Sequence, residues 1–532
     1  MIKSPIIIPR AGELGIISDL PPLMVPPNAW TSGVNVRVND GELVAFPGHD
    51  LGGENTGLDA IWSLTTVTDA TSHYWVNLGD DGTGVCKAFA YDGTTFHDIS
   101  PTPTPANDFT GARADIITHA FLNGRLVTNN LADVPHTWDL STGNDYVPLV
   151  NWDSNWRAKA IAAFKGFLVA INITDSGAFS PNRVKWSDEA VPGALPGSWD
   201  ETDPTTAAGE YDLADTTAAL VAIKALRNEL VLYTERECFG MALVGGSLIW
   251  RFRLISSQTG AMTPRAVGAF KGLHAVMTDN DLVVNDGQNI RSIGDGRNKR
   301  YMFRQLDESN YGYAFTQVHR LRDEVWFCFP SAGNDFCDMS LVWNRSEDTF
   351  GVRELPPGCI SAADGTDIVG LSTATWETGG AAATWNLEDG AWDERAFNAL
   401  GGLLLLAGDN TNTGMTGAPV YRADQGNTFN GDLRQFRVER LAMNPDPAGR
   451  VLTVTEVWVE ATGDPVTVRI GYQNAPNGPV FWKSAQTFDP ELDKKLTCRV
   501  TGRYPCLALE SLGDFNTRIH GVRLMFVAGA ER

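Results

Sequence analysis

The chain is 532 residues long, too long for one ordinary domain of roughly 100 to 200 residues, so several domains or one large repeat domain are expected. Its 64 acidic against 42 basic side chains give a formal charge of −22, the reverse of what a protein that grips nucleic acid through phosphates needs. No stretch approaches the ~20 apolar residues of a membrane span, while 53 glycines, 24 phenylalanines and 16 tryptophans favour strands joined by tight turns.

The chain opens with MIKSPIIIPRAGEL, whose isoleucine run is interrupted by prolines and falls short of a secretory signal's apolar region, so synthesis in a cytoplasm is expected. Residues 1–55 read as an N-terminal arm or docking segment. From there a short pattern recurs, in which an apolar residue precedes a polar turn and then an apolar strand. It appears as LNGRLV from Leu122, FKGFLV from Phe164, LRNELV from Leu226, FKGLHAV from Phe270 and LRDEVWF from Leu321, with LGGLLLL from Leu400 a weaker instance. Spacings of roughly 40 to 60 residues over most of the series are those of propeller blades, each instance being one inner hairpin.

A second pattern follows several of these: an aromatic, then Asp or Asn, a polar turn and another aromatic. Tyr91-Asp92-Gly93 leads to Phe96, Trp138-Asp139 to Tyr146, Trp343-Asn344 to Phe350, and Trp385-Asn386 to Trp392. The first aromatic closes a strand and packs between sheets, the Asp or Asn side chain bonds turn amides, and the second aromatic starts the return strand. Asn285–Asn289 is a related Asp-Gly turn. Residues 56–425 therefore read as a β-propeller of about six or seven blades. Beyond the Gly- and Asn-rich segments near residue 410 and residue 427, regular alternation in VLTVTEVWVEA, PVTVRIGY, LTCRVTGRY and RIHGVRLMFVA marks residues 426–532 as a C-terminal antiparallel β-sandwich. The fold class is all-β, with KRYMFRQLDESN from Lys299 the best helical candidate.

Motifs of chemistry are sparse. The seven cysteines contain no C-x-x-C pair; Cys328 and Cys337 flank a turn and could face each other, but buried free thiols are the simpler reading. The eight histidines never occur at helical zinc spacing, and neither G-x-S-x-G nor a P-loop is present. Asp279-Asn280-Asp281 begins like a calcium loop, yet Leu282-Val283-Val284 follows where ligands are needed, so it reads as a turn. A glycosidase needs two carboxylates across a sugar linkage. Asp188 with Glu189, Asp200 with Glu201 and Asp279 with Asp281 offer such pairs, but solvated loop acids account for them more simply. No catalytic residue, cofactor or metal is expected, and the chain is not expected to be an enzyme.

Three blocks carry a family resemblance: Trp30-Thr31-Ser32-Gly33-Val34-Asn35-Val36-Arg37 followed by Asp40-Gly41 and Phe46-Pro47-Gly48; VKWSDEAVPGALPGSWDET from Val184; and LVLYTERECFGMALVGG, FRLISSQTGAMTPRAV and DLVVNDGQNIRSIGDGRNKRYMF. Together they span most of residues 25–355 and resemble the nozzle, or tail tubular protein B, family of short-tailed phages. The resemblance implies a structural virion protein of the phage tail, made in the host cytoplasm. It would form a homo-oligomeric, hexameric ring attached to a tail adaptor, in company with tail fibres or spikes, through which genomic DNA passes without tight binding.

Such a ring needs two different complementary surfaces on each subunit. A basic cluster in this acidic chain, Arg291, Arg297, Lys299, Arg300 and Arg304, is one candidate contact with an acidic neighbour; the alternative is a helix face balanced by nearby Asp and Glu. The long loop from Ser187 to Thr205, with Asp188, Glu189, Asp200, Glu201 and Asp203, is a candidate channel or gate loop, or a plain exposed insertion. The competing functional reading is a tail-associated carbohydrate-binding or depolymerase β-propeller, and a third is a cellular scaffold of the kelch type.

Overall fold

A computed structural model of the chain describes residues 4–529 apart from 69–71, 103–108, 247, 369–401, 412, 446–449 and 514–515. Seven four-stranded antiparallel blades follow one another around a ring. Blades one to six take residues 60–98, 118–148, 156–212, 220–256, 267–292 and 315–354 in simple up-and-down order. Blade seven combines three strands from residues 362–423 with an outer strand, His49–Asn55, from near the N-terminus.

The inner hairpins of blades two to six turn where the short pattern puts them. Asn123-Gly124, Lys165-Gly166 and Lys271-Gly272 all have positive φ, the geometry of a two-residue turn whose twist matches that of its strands. Arg227 and Asp323 occupy the left-handed region in the remaining two hairpins. The aromatic pattern likewise marks the outer hairpins: Tyr91 and Phe96 stack at 4.3 Å, while Asp92 Oδ1 accepts the amides of Thr94 and Thr95 at 2.8 Å each. Trp343 sits opposite Phe350, and Asn344 Oδ1 accepts the Ser346 amide at 3.0 Å. The expected hairpin at Trp385, Asn386 and Trp392 lies outside the described residues, as do Leu400 and Gly401 of the weakest repeat.

Apolar clusters fill the wedges between blades. Trp62, Leu126, Trp138 and Tyr146 join blades one and two; Val169, Trp186, Leu230, Met241 and Trp250 join three and four. Between blades seven and one, Leu405 and Val420 pack on Leu64 and Trp75. There the Leu64 amide donates to Ser361 Oγ at 2.9 Å and Thr66 Oγ1 to the Asp364 carbonyl at 2.8 Å, so the ring is closed.

The N-terminal segment is not a detached arm. Val36–Asn39 and Glu42–Ala45 form a hairpin that joins blade six, through Val36 opposite Val352, to the C-terminal strand Thr517–Ala528. Ser4–Ile8 also pairs with Thr517–Ala528, and Ser32–Val34 pairs with Arg434–Arg440. The sandwich is thus built from both ends of the chain. One sheet contains Leu452–Gly463, Leu496–Gly502 and Thr517–Ala528 with three N-terminal strands; the other contains Arg434–Arg440, Val466–Gln473 and Tyr504–Gly513 with a fourth. Alternation explains the register, because Val454, Val457 and Val459 face Phe436, Val438, Leu507 and Leu509 in one core. A boundary at residue 55 therefore cuts through paired structure that sequence contiguity does not reveal.

A buried ion cluster fastens the two domains. Arg37 reaches Glu324 at 2.7 Å and Asp424 at 2.6 Å, Arg353 meets Asp424 at 3.0 Å, and His319 Nε2 lies 3.3 Å from the same carboxylate. Burial opposes charge at Asp424, but the two guanidiniums outweigh it and hold the carboxyl well below the usual range. For Arg353 burial dominates over the attraction of Asp424 and pulls its pKa down to about 10. The second Arg353 nitrogen donates to the Gly48 carbonyl at 3.0 Å, so N-terminal segment, blade six and the end of blade seven meet at this point.

Candidate functional site

The basic cluster lies on blade five and on helix α1 (Lys299–Gln305) that follows it. Its members do not share one role. Arg297 pairs with Asp348 at 2.8 Å and Lys299 with Asp281 at 3.3 Å, both neighbours within the same chain. Arg291 lies over the Trp343 ring at 6.0 Å but stays exposed, as do Arg300 and Arg304. The first turn of α1 docks the N-terminal segment: Asp19 accepts the Arg300 amide at 2.7 Å and the Tyr301 amide at 2.8 Å, and Asn298 Nδ2 donates to the Ile16 carbonyl at 2.7 Å. Arg297 and Lys299 are thus balanced by acids of the same chain, while Arg291, Arg300 and Arg304 are exposed.

The acidic loop connects the third and fourth strands of blade three and reaches back to the inner hairpin turns of blades two and three, where the Ala190 amide donates to the Gly166 carbonyl at 2.8 Å. It is well tied down. Trp199 is buried against Trp152 at 4.7 Å, and Asn123 and Asn151 of the neighbouring blade region donate to the carbonyls of Ala194 and Gly197 at 2.9 Å each. Asp188 Oδ1 accepts the Ala207 and Glu189 amides, both at 2.9 Å, and Glu189 itself is exposed. Glu201 bonds the buried Lys185 at 2.6 Å, which outweighs its partial burial and lowers its pKa. Asp200 and Asp203 bond the hydroxyls and amides of Thr202 and Thr205, which lowers both pKa values and keeps both carboxylates charged at the surface.

In the remaining acid pair Asp279 is exposed and Asp281 is engaged. Asp281 bonds Lys299 and, at 2.9 Å, Ser292 Oγ, and the 278–281 segment is a turn closed by Thr278. A cavity of about 250 Å³ between blades four and five is lined by Arg227, Glu229, Arg253, Asp286 and Gln288. Of its two carboxylates, Glu229 is paired with Arg253 at 2.5 Å, and Asp286 Oδ1 accepts the Gln288 and Asn289 amides at 2.8 Å and 2.7 Å. The seven cysteines are free thiols; burial raises those of Cys328 and Cys337 well above the ordinary thiol range. Among the described residues no group of three or more His, Cys, Asp or Glu side chains is placed to hold a metal, and no helix is long and apolar enough to cross a membrane.

Along the propeller axis stand residues that no linear motif announces. Arg265, at the start of blade five, donates to the Trp62 carbonyl of blade one at 3.1 Å and so crosses the bore. Ser63 Oγ and His119 Nε2 join blades one and two at 2.8 Å. Arg320 of blade six bonds Asp364 of blade seven at 3.2 Å. Burial, then the charges of Arg265 and Lys224, pushes His119 down to about 3. These groups come from separate blades, and only the closed ring brings them together.

No protein-family model matches the chain, and no curated protein matches it. Several solved structures have a related strand layout. The WD40 β-propeller domain of Doa1 aligns at 11% identity and a TM-score of 0.38, over 60% of this chain and 90% of that one. YCF48 from Cyanidioschyzon merolae aligns at 9% identity and a TM-score of 0.32, over 57% and 88%. An exo-β-1,3-galactanase from Phanerochaete chrysosporium, solved with galactose, aligns at 10% identity and a TM-score of 0.26, over 90% and 100%. At such scores the likeness carries no argument, and the propeller assignment rests on strand pairing and closure of the ring.

Proposed function

We propose that this chain is a structural subunit of a phage short tail, one of the copies of a nozzle ring through which the genome is retained and then ejected. The observation that carries the reading is the placement of two surfaces of opposite sign on separate blades. Arg291, Arg300 and Arg304 are exposed beside blade five, and the charged Asp200 and Asp203 are on the long loop of blade three. A head-to-tail contact that closes by rotation needs such a pair, and opposite charges steer its formation. The resemblance of the Trp30–Gly48, Val184–Thr202 and Leu230–Phe303 blocks to nozzle proteins supports the same reading. A conduit for DNA would have to lie between subunits, because Arg265 crosses the axis of the propeller itself.

Charge reversal tests the contact. R291E/R300E/R304E should abolish ring formation while leaving the melting temperature near that of the wild type, since exposed charges matter little to stability. Rings that persist in this variant at low and moderate salt would remove the basic surface from the account, and cleavage of a host polysaccharide by the wild-type protein would favour the depolymerase reading.

A further inference from the structure

The two faces of the propeller carry opposite charges at their turns. In an up-and-down blade the first and third turns lie on one face, and the second turn and the link to the next blade lie on the other. Every inner hairpin of blades two to six puts a base at its turn: Arg125, Lys165, Arg227, Lys271 and, in blade six, both Arg320 and Arg322. The inner strands of these blades pack on one another in order, so the turns form an arc round one mouth of the bore. Lys165 and Lys271 repeat one geometry, each with positive φ and with its ammonium 5.2 Å and 5.4 Å from the ring of the preceding Phe164 and Phe270. Asp323 is the one acid within these turns, and it is taken up by Lys271 and, at 3.6 Å, by Arg345. Lys165 and Arg227 are exposed, and Lys271 keeps 54% of its side-chain surface open to solvent. The second turns have the reverse sign. Asp80, Asp175, Glu235, Asp279 and Asp335 stand at those of blades one, three, four, five and six, and Arg236 is the one base within those five turns. Glu235, Asp279 and Asp335 are exposed.

We propose that these two faces dock on each other between copies, the basic inner turns of one chain meeting the acidic second turns of the next. The occupant is a second copy of this chain because charges of the needed sign recur there with the same blade spacing. The two sets stand on opposite faces of one closed ring of blades, so they cannot meet within a single chain. Their contact is heterologous, as closure by rotation requires, and opposite charges steer it. This inference rests on the nozzle-ring reading and names the faces that make the ring. Asp200 and Asp203 belong to the third turn of blade three and so share the face of the basic inner turns, while α1 follows the fourth strand of blade five and lies on the opposite face. The contact between Arg300, Arg304 and these acids therefore runs between the same two faces. Propeller axes then follow the circumference of the ring, and blade edges bound its centre.

Charge reversal on each face, read by sedimentation velocity of the full-length protein, tests the docking. K165E/R227E/K271E and E235K/D279K/D335K should each raise the dissociation constant of the assembly about tenfold or more at ~50 mM salt, where screening is weak. A chain carrying both sets should recover most of that loss, because the two faces change sign together and attract again. If the glutamates prevent folding, K165N/R227N/K271N removes the charge with residues that tolerate positive φ and should weaken assembly in the same direction. Assembly that persists undiminished in either folded single-face variant would overturn this docking and leave the ring reading standing. A chain carrying both sets that stays as dissociated as its parents would overturn the pairing of the two faces. Wild-type protein that never assembles would overturn the ring reading and this contact together.

Discussion

Arg37, Glu324, Arg353 and Asp424 form the most consequential contact among single residues, since they join segments more than three hundred positions apart while buried. Breaking one partner of a buried pair leaves the other charge uncompensated, at a cost of about 3–5 kcal/mol. R37M should therefore lower unfolding stability by about that amount in denaturant titration. A loss below ~1 kcal/mol would mean that the cluster is solvated and peripheral. Acid should weaken the fold through a second group of residues. His274 accepts from the Tyr233 hydroxyl and donates to the Ala225 carbonyl, each at 2.9 Å, and burial is the main reason its pKa is pushed down to about 4. His49, buried beside Arg353, is pushed down to about 3. The unfolded chain takes these protons near pH 6.5 and the folded chain does not, so stability rises with pH through this window and is lost on acidification. Each histidine should remove on the order of 3 kcal/mol by pH 4, with Asp424 adding its own loss below about pH 4. Melting temperatures between pH 7.5 and 4 check this, and H274Q should shallow the slope; a flat profile would show that both imidazoles are hydrated.

Among the elements, the closing strand His49–Asn55 decides whether the ring is complete. Gly48 enters it so closely that an added Cβ would lie 1.8 Å from the Thr428 carbonyl oxygen, backbone that cannot move aside. G48A should thus destabilise blade seven, and deletion of residues 1–55 should give an aggregating product because blade seven and the sandwich both lose strands. A soluble, monodisperse deletion product with native-like spectra would contradict closure by this strand. What could be read from the sequence divides along the same line. The inner hairpins at Leu122, Phe164 and Phe270 were legible because turn and strands are contiguous and the turn demands residues that tolerate positive φ. The fourth strand of blade seven was not, since its partner Ala418–Ala423 stands hundreds of residues away and no local pattern encodes that pairing. The candidate site follows suit. Arg291–Arg304 stood out as a run, but that Arg297 and Lys299 are taken up by Asp348 and Asp281 emerges only from the fold. His119, Arg265 and Arg320 lie on three blades and form no linear motif at all.

On the scale of the whole molecule, a charge of −22 and a propeller axis crossed by Arg265 suit a protein that lets DNA pass beside it without holding it. Wild-type protein should show little duplex affinity at about 50 mM salt, where phosphate contacts would be strongest, and tight binding there would contradict a passive conduit. The ring itself is the central claim, and negative-stain imaging of the purified full-length protein at rising concentration tests it most directly. The expected result is closed rings of uniform subunit number with an open centre, six copies being the number the resemblance implies. Particles that remain single propellers at every concentration, or that grow into open filaments, would contradict the account.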